Sequence, residues 1–545
     1  MRGDILKTYK TLHTWTGLIG GMALFICFFA GALTMFKPEL DRWVSPPVQQ
    51  LPWVEESRLS LLVEKAIAEH PQAANSFTLH VQHNEGVEAP MSWRIRSKDD
   101  SSTYWLASLD ADNRLMVRQH EPSQLAHLVD MLHQTAGIPG EGHHMWGVYV
   151  MGAVCFLYGL ALLSGVILLL PSLVKDFLLL RRQKTSKRFW LDAHNVIGIT
   201  SLPFHILIAW TVVVFAFHDQ IYDGLEALVY QGEPAFARAE ADPDAPVFNT
   251  AELLMPTQMA PVITKLSANF QIYEASYSRV QGNTPSVRIA GSDKAHMVRA
   301  PSFGFVSLQP YTGEVLDKDY LPGYEDGWLD MVIAVFALHF GSYGGDTIRW
   351  VYFMLGLSGA FIFYSGNLLW IESRRRKQRE AGQVVEQQKN ARLMASATVG
   401  VCWGSVAGVA LAMSIGKWVS ATGGDANSAY LWVYYLVFLS ALAWAFICGP
   451  AKGAVHILVL CALACLSIVL SALAAWLIGP PHWWHAGLAM VEVTALLFSL
   501  IFANMAIKMH RRARCGPQDS VWAYAERPVA TELPAGIKPV SASKP

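Results

Sequence analysis

The chain reads as a mainly α-helical membrane protein with about eight transmembrane helices. The first four form two parallel repeats, each carrying an α+β domain outside the bilayer. Three observations lead there. Apolar runs long enough to cross a hydrocarbon core recur along the chain. Every strongly basic loop between them falls on the same side, as the positive-inside rule requires. And the pattern of the first two-thirds occurs twice.

Composition narrows the class. The chain has 545 residues, 52% of them hydrophobic and 16% charged, with a mean hydropathy of +0.28. That is the balance of a polytopic membrane protein with sizeable soluble parts. A net charge of −1 offers no global basic field for a nucleic-acid partner. The seven cysteines form no C-x-x-C and no C-x-x-C-H. Zinc knuckles, iron–sulfur clusters and covalently attached haem therefore lack a motif. Cys461 and Cys465, at helical spacing, read as packing. No G-x-G-x-x-G and no P-loop is present, so the chain carries no recognisable nicotinamide domain of its own.

In order, residues 1–171 make the first repeat. A basic start with Lys7 and Lys10 precedes an apolar run from about Trp15 to Phe36, retained as a first helix. Residues 37–128 are polar. RLSLLVEKAIAEH (58–70) has the period of an amphipathic helix, and TLHVQH, MSWRIRS, YWLASLD and RLMVRQ alternate as strands. LAHLVDMLH (125–133) returns to the surface and leads to a second span, about Met145 to Leu170. A basic cytoplasmic loop (172–188) follows. The second repeat, 189–376, has a third span from His194 to Phe217 and an outer domain over about 218–327. Its fourth span runs from Ile348 to Ile371. In that domain LLMPTQMAPVITKLS reads as a helix, QIYEASYS, SVRIAG and FGFVSLQ as strands, and PYTGEVL as a hairpin turn. A linker (377–393), four further spans (394–509) and a cytoplasmic tail (510–545) complete the chain. The tail composition is that of a disordered segment.

Histidines carry the functional signal. His194 and His205 lie about three turns apart, so on one straight helix both rings would leave the same face, about 16 Å apart in depth. Ionisable residues within a span are costly and usually functional. The duplication adds partners. LHTWTGLIG (12–20) matches AHNVIGITS (193–201), aligning His13 with His194. MLHQTAGIPG (131–140) matches ALHFGSYGGD (337–346), aligning His133 with His339. Ser164–Gly165 and Ser365–Gly366 recur late in their spans. Single interfacial histidines are ordinarily polar anchors; four at two repeat-related positions point to two haems, each held by imidazoles from both repeats. His13 and His194 would ligate an inner haem. The outer haem draws on His133, His205, His339 and His144, with His143 beside the last; pattern alone does not choose among them.

These motifs, LHTWTGLIGG, LDAHNVIGITSLPFH, the late Ser–Gly pair and LHFGSYGG, resemble the PepSY-associated transmembrane-helix family over about residues 5–376. That family includes FoxB-like bacterial inner-membrane siderophore-iron reductases. The resemblance implies periplasmic PepSY-like domains, cytoplasmic termini and two non-covalent haem b groups with bis-histidine ligation. It also implies reduction of ferric siderophores in the periplasm. It carries the ligand role to His13 and His194 first, then to His339 and His133. The electron donor is a quinol or a cytoplasmic flavoprotein, and membrane lipid surrounds the spans. Two other classes compete: a siderophore or iron transporter, and a non-redox membrane-anchored PepSY regulator. Glu492 is the one acid noted inside a late span. HWWH (482–485) reads either as an outer-surface site or, more ordinarily, as an aromatic interfacial belt. Trp53, Trp93, Trp105 and Tyr324 are aromatics of the outer domains, more often core than ligand contacts.

Overall fold

The structure, a computed structural model, describes residues 3–45, 50–83, 87–96, 102–140, 146–172, 179–181, 186–228, 249–281, 284–296, 298, 303–324, 327–378, 385–478 and 489–524. Helix α1 (Gly3–Thr34) is long and apolar; α2 (Lys37–Val44) follows its C-terminal end with Pro38 in the first turn. In α3 (Leu59–Glu69), Leu59, Leu62, Val63, Ala66 and Ile67 make the buried stripe that the sequence spacing predicts. Then come α4 (Leu125–Thr135), α5 (Trp146–Leu169), α6 (Ser186–Thr200), α7 (Leu202–Ala216) and α8 (His218–Leu228). Helix α9 (Pro256–Leu266) precedes α10 (Gly327–Phe340) and α11 (Gly345–Ser373). Last are α12 (Lys389–Ala421), α13 (Ala426–Ile478) and α14 (Ala489–Cys515).

Six of these helices are long and apolar enough to cross a membrane: α1, α5, α11, α12, α13 and α14. The third expected span is not one straight helix. It is the pair α6 and α7, bent by 70° at Ser201. Pro203 lies in the first turn of α7, where its missing N–H is no loss, but its ring could not follow an unbroken helix. The expectation that His194 and His205 share one helix face therefore fails. Helix α13, at 53 residues, would run about 80 Å if straight. It breaks at Gly449, whose φ of 76° and ψ of 166° are not helical, with Pro450 next. The two arms fold back on each other: Trp444 Nε1 donates to His456 Nδ1 at 3.1 Å across them.

Outside the helices, eight strands form one antiparallel sheet. They are β1 (Ser76–His80), β2 (Met91–Arg96), β3 (Ser102–Leu109), β4 (Leu115–His120), β5 (Gln271–Ser278), β6 (Ser286–Ser292), β7 (Gly304–Leu308) and β8 (Val315–Asp317). Their order is β4-β3-β2-β1-β5-β6-β7-β8. Two separate domains were the expectation; the structure joins them. Each half is a meander whose first strand would be an open edge, and the two edges pair with each other. At the seam Phe77 opposes Tyr277, stacked at 4.6 Å, and Thr78 opposes Ser276. The buried stripes of α3 and α9 enter one core with both halves of the sheet.

The C-terminal helices grip α2. Lys417, 1% exposed, donates to the carbonyl of Trp43 at 2.6 Å, and Trp43 Nε1 donates to Glu492 Oε1 at 2.8 Å. Residues 516–524 pack back on the helices: Tyr524 N donates to Ala513 O at 3.0 Å, and Arg375 pairs with Asp519. The rest of the expected tail lies outside the described residues.

Truncating Tyr277 to Ala removes the stacked ring and its 2.6 Å hydrogen bond to Leu254 O. This should cost about 3–5 kcal/mol of sheet stability, read by denaturant unfolding followed through the sheet tryptophans. His80 Nδ1 lies 3.5 Å from Glu274 Oε2 across the same seam. Burial lowers the His80 pKa, against the opposing pull of Glu274. The unfolded chain thus binds the proton more readily, so this contribution is present above about pH 6.5 and is lost as pH falls. His80→Gln should flatten the fall in unfolding midpoint between pH 7 and 5; an unchanged slope would refute the assignment.

Candidate cofactor site

Two pairs of histidines face each other among the helices. His13 on α1 and His194 on α6 have ring centroids 6.3 Å apart, with planes at 80°. His133 on α4 and His339 on α10 have centroids 6.2 Å apart, at 40°. Both are pairs between the positions that the duplicated motifs align. Neither was in reach of local sequence geometry, since each joins helices far apart in the chain.

The second nitrogen of each ring decides its chemistry. His13 Nδ1 lies 2.8 Å from the carbonyl of Ala161, and His133 Nδ1 lies 2.9 Å from the carbonyl of Cys27. A carbonyl only accepts, so each Nδ1 carries the proton and each Nε2 keeps a lone pair. His194 Nδ1 lies 2.9 Å from Ser365 Oγ, which spends its own proton on Ile362 O at 2.9 Å. His339 Nδ1 lies 2.9 Å from Thr211 Oγ1, whose proton goes to Leu207 O at 2.9 Å. Both hydroxyls must therefore accept from the ring. All four histidines present a basic Nε2, the state a metal ligand needs, held by the kind of outer hydrogen bond that orients ligating imidazoles.

Small residues make room for the rings. A Cβ on Gly165 would sit 3.0 Å from His13 Cε1, and one on Gly31 would sit 2.6 Å from His133 Nδ1. One on Gly366 would be 3.7 Å from His194 Cε1. The recurrent Ser–Gly pair thus has a role that spacing could not give: its serine or its glycine meets the inner histidines. The halves are not identical, because among the described residues Ser164 Oγ bonds only its own helix, at Leu160 O and Ala161 O.

His205 joins neither pair. It is 1% exposed, and its Nδ1 lies 2.6 Å from the hydroxyl of Tyr158 on α5. Its Nε2 is buried without a partner among the described residues. His143 and His144 lie outside the described residues, as do His482 and His485 of the HWWH segment.

A pair of imidazoles fits haem better than a bare ion. Two nitrogens leave a tetrahedral or octahedral shell mostly unfilled, whereas haem iron needs only two axial ligands. Among the described residues no group of three or more His, Cys, Asp or Glu side chains converges as a metal cluster would. Two imidazoles bonded at about 2 Å to one metal atom lying in line between them would have ring centres about 6 Å apart, and the pairs stand at 6.3 and 6.2 Å.

The aromatics of the outer domain are mostly structural. Trp93 and Trp105 stack at 6.1 Å with His70 against both, Trp53 lies against His83, and Tyr324 lies under Lys318. Glu492 is held by Trp43. Sequence reading missed Lys417, Tyr158, Thr211 and the carbonyls of Cys27 and Ala161. Lys417 alone had a signal, a cation at the end of an apolar run.

The model of the PepSY-associated TM region matches residues 10–373, about two-thirds of the chain. No curated protein matches it. The match spans both histidine pairs and ends at α11, so α12, α13 and α14 lie beyond it.

The asymmetry between the serines is testable. Ser365→Ala takes from His194 Nδ1–H its 2.9 Å hydroxyl acceptor and should cost about 1–3 kcal/mol. Ser164→Ala removes only an intrahelical bond and should cost under about 1 kcal/mol. Thermal unfolding of both variants in one detergent compares them; equal losses would contradict the assigned bond.

Proposed function

The chain belongs to the PepSY-associated transmembrane family, and on that premise we propose that it is a di-haem b reductase of the bacterial inner membrane. It passes electrons across the bilayer to ferric siderophore in the periplasm and releases Fe(II). The observation that carries this reading is the pair of facing imidazole sites, each ring with its Nδ1 proton engaged and its Nε2 lone pair free.

In this reading His13 and His194 hold the inner haem, and His133 and His339 the outer one. Haem held by two imidazoles would supply one-electron iron chemistry at each pair, suited to electron transfer rather than oxygen chemistry. The chain's own part is geometric. Ala161, Ser365, Cys27 and Thr211 lock each ring by its Nδ1 proton, and Gly31 and Gly165 let the rings approach the neighbouring helices. Both sites belong to the helices between a cytoplasmic inner face and the periplasmic sheet. Counting the two arms of α13 separately and the bent α6–α7 pair as one gives eight crossings. Both termini are then cytoplasmic. Taking up one electron turns substrate Fe(III) into Fe(II), a softer acid that hard oxygen ligands hold less well. A quinol or a cytoplasmic flavoprotein supplies the electrons.

An optical spectrum of the detergent-purified protein tests this. The expected result is a low-spin b-type signal that sharpens on dithionite reduction. His13→Ala and His339→Ala should each remove about half of it. The reduced protein should then be reoxidised by ferric siderophore. A protein that stays haem-free when expressed with ample haem would overturn the reading and move attention to transport of siderophore or iron.

A further inference from the structure

His205 differs from the four paired histidines in the one feature that sets what a buried imidazole can do. Its Nδ1 partner is a hydroxyl, Tyr158 OH, for which no other hydrogen bond is seen among the described residues. Two arrangements are available. With the proton on Nδ1, the ring donates to the tyrosine oxygen, and both the tyrosine O–H and the lone pair of Nε2 go unused. With the tyrosine donating to Nδ1, the ring's own proton moves to Nε2 and only that N–H lacks a partner. Each unmade hydrogen bond in an apolar interior costs about 1–3 kcal/mol, so the second arrangement prevails. His205 therefore presents an N–H where the other four present a lone pair.

Its location gives that N–H a use. The ring contacts Phe28 at 5.4 Å, Phe204 at 5.5 Å and Tyr158 at 6.1 Å. Phe28 also contacts Phe363 at 5.5 Å. Phe363 lies two residues from Ser365, the partner of His194. Phe28 lies next to Cys27, whose carbonyl holds His133. On its own helix, His205 precedes Thr211, the partner of His339, by less than two turns. The cluster thus joins the residues that anchor both pairs, with the unpartnered Nε2 of His205 inside it.

We infer that His205, held by Tyr158 with its Nε2–H buried among the residues that anchor the two histidine pairs, is a positioning residue that raises the reduction potential of a haem held by one of those pairs. The inference rests on the haem reading above. A fixed N–H dipole with its positive end toward the cofactor stabilises the extra electron of the reduced state, and low dielectric strengthens the effect. His205 is accordingly not an axial ligand. Its substitution changes how electrons divide between the two haems, not whether they bind.

Redox titration of the purified holoprotein, followed optically, tests this in wild type, His205→Phe, His205→Gln and Tyr158→Phe. In His205→Phe both low-spin signals should persist, and the reduction equilibrium of one haem should shift about tenfold toward the oxidised form, 59 mV for one electron. His205→Gln, which keeps an N–H donor, should recover part of the shift. Tyr158→Phe frees the tautomer and should move the potential in the same direction, and it carries the test if His205→Phe does not fold. Unchanged potentials in the folded variants would reduce His205 to packing and overturn the inference. Loss of a low-spin signal in His205→Phe would overturn it differently, by making His205 a ligand. A wild-type protein without haem is a separate outcome that removes the functional reading itself.

Discussion

A histidine among membrane helices has no water to satisfy its two ring nitrogens, and whatever the chain places at one of them fixes the state of the other. Most of what distinguishes this protein depends on that constraint. At four positions the chain offers an oxygen that can only accept, so the proton stays on Nδ1 and a lone pair is left at Nε2. At a fifth it offers a tyrosine hydroxyl, and the pattern inverts. The same residue type thus serves two purposes a few turns apart, set by a neighbour from another helix.

The scaffold serves this arrangement at both ends. Breaking the third span at Ser201 lets α6 bring His194 to His13 while α7 brings Thr211 to His339. Outside, the pairing of β1 with β5 ties the two halves into one sheet. A shared sheet and one apolar core resist relative movement of the halves better than two domains in loose contact would. If the pairs hold a cofactor as proposed, drawing one histidine from each half would need that rigidity, because site geometry tolerates displacements of only about 0.5 Å. The C-terminal helices add an asymmetric brace. Through Lys417, Glu492 and Trp43 they hold α2, and Asn427 and Tyr435 bond the segments flanking α4, which carries His133.

A buried cation beside a half-buried carboxylate is weak evidence of stability and stronger evidence of specificity. Here the trio selects one way for the extra helices to dock on the family region. It also accounts for the acid of the late span, which a transport reading would otherwise have claimed.

Much of this was legible in the sequence. Hydropathy located the long helices, because a bilayer imposes length and apolarity on any single crossing. Alternation located most of the strands to within a residue or two, since period two is a local property: QIYEASYS is β5 and SVRIAG is the body of β6. The matched motifs align His13 with His194 and His133 with His339, and the two members of each aligned pair lie side by side in the structure. Three things only the tertiary structure decided. The two meanders became one sheet, since which edge finds a partner depends on where the halves sit and not on strand composition. The straight span became a bent one, since a proline in an apolar run states where a helix can break and not how far the chain turns. And His205 was set apart from the other four, since a ring's tautomer belongs to its neighbour across the helix interface, a hydroxyl or carbonyl that no local window contains.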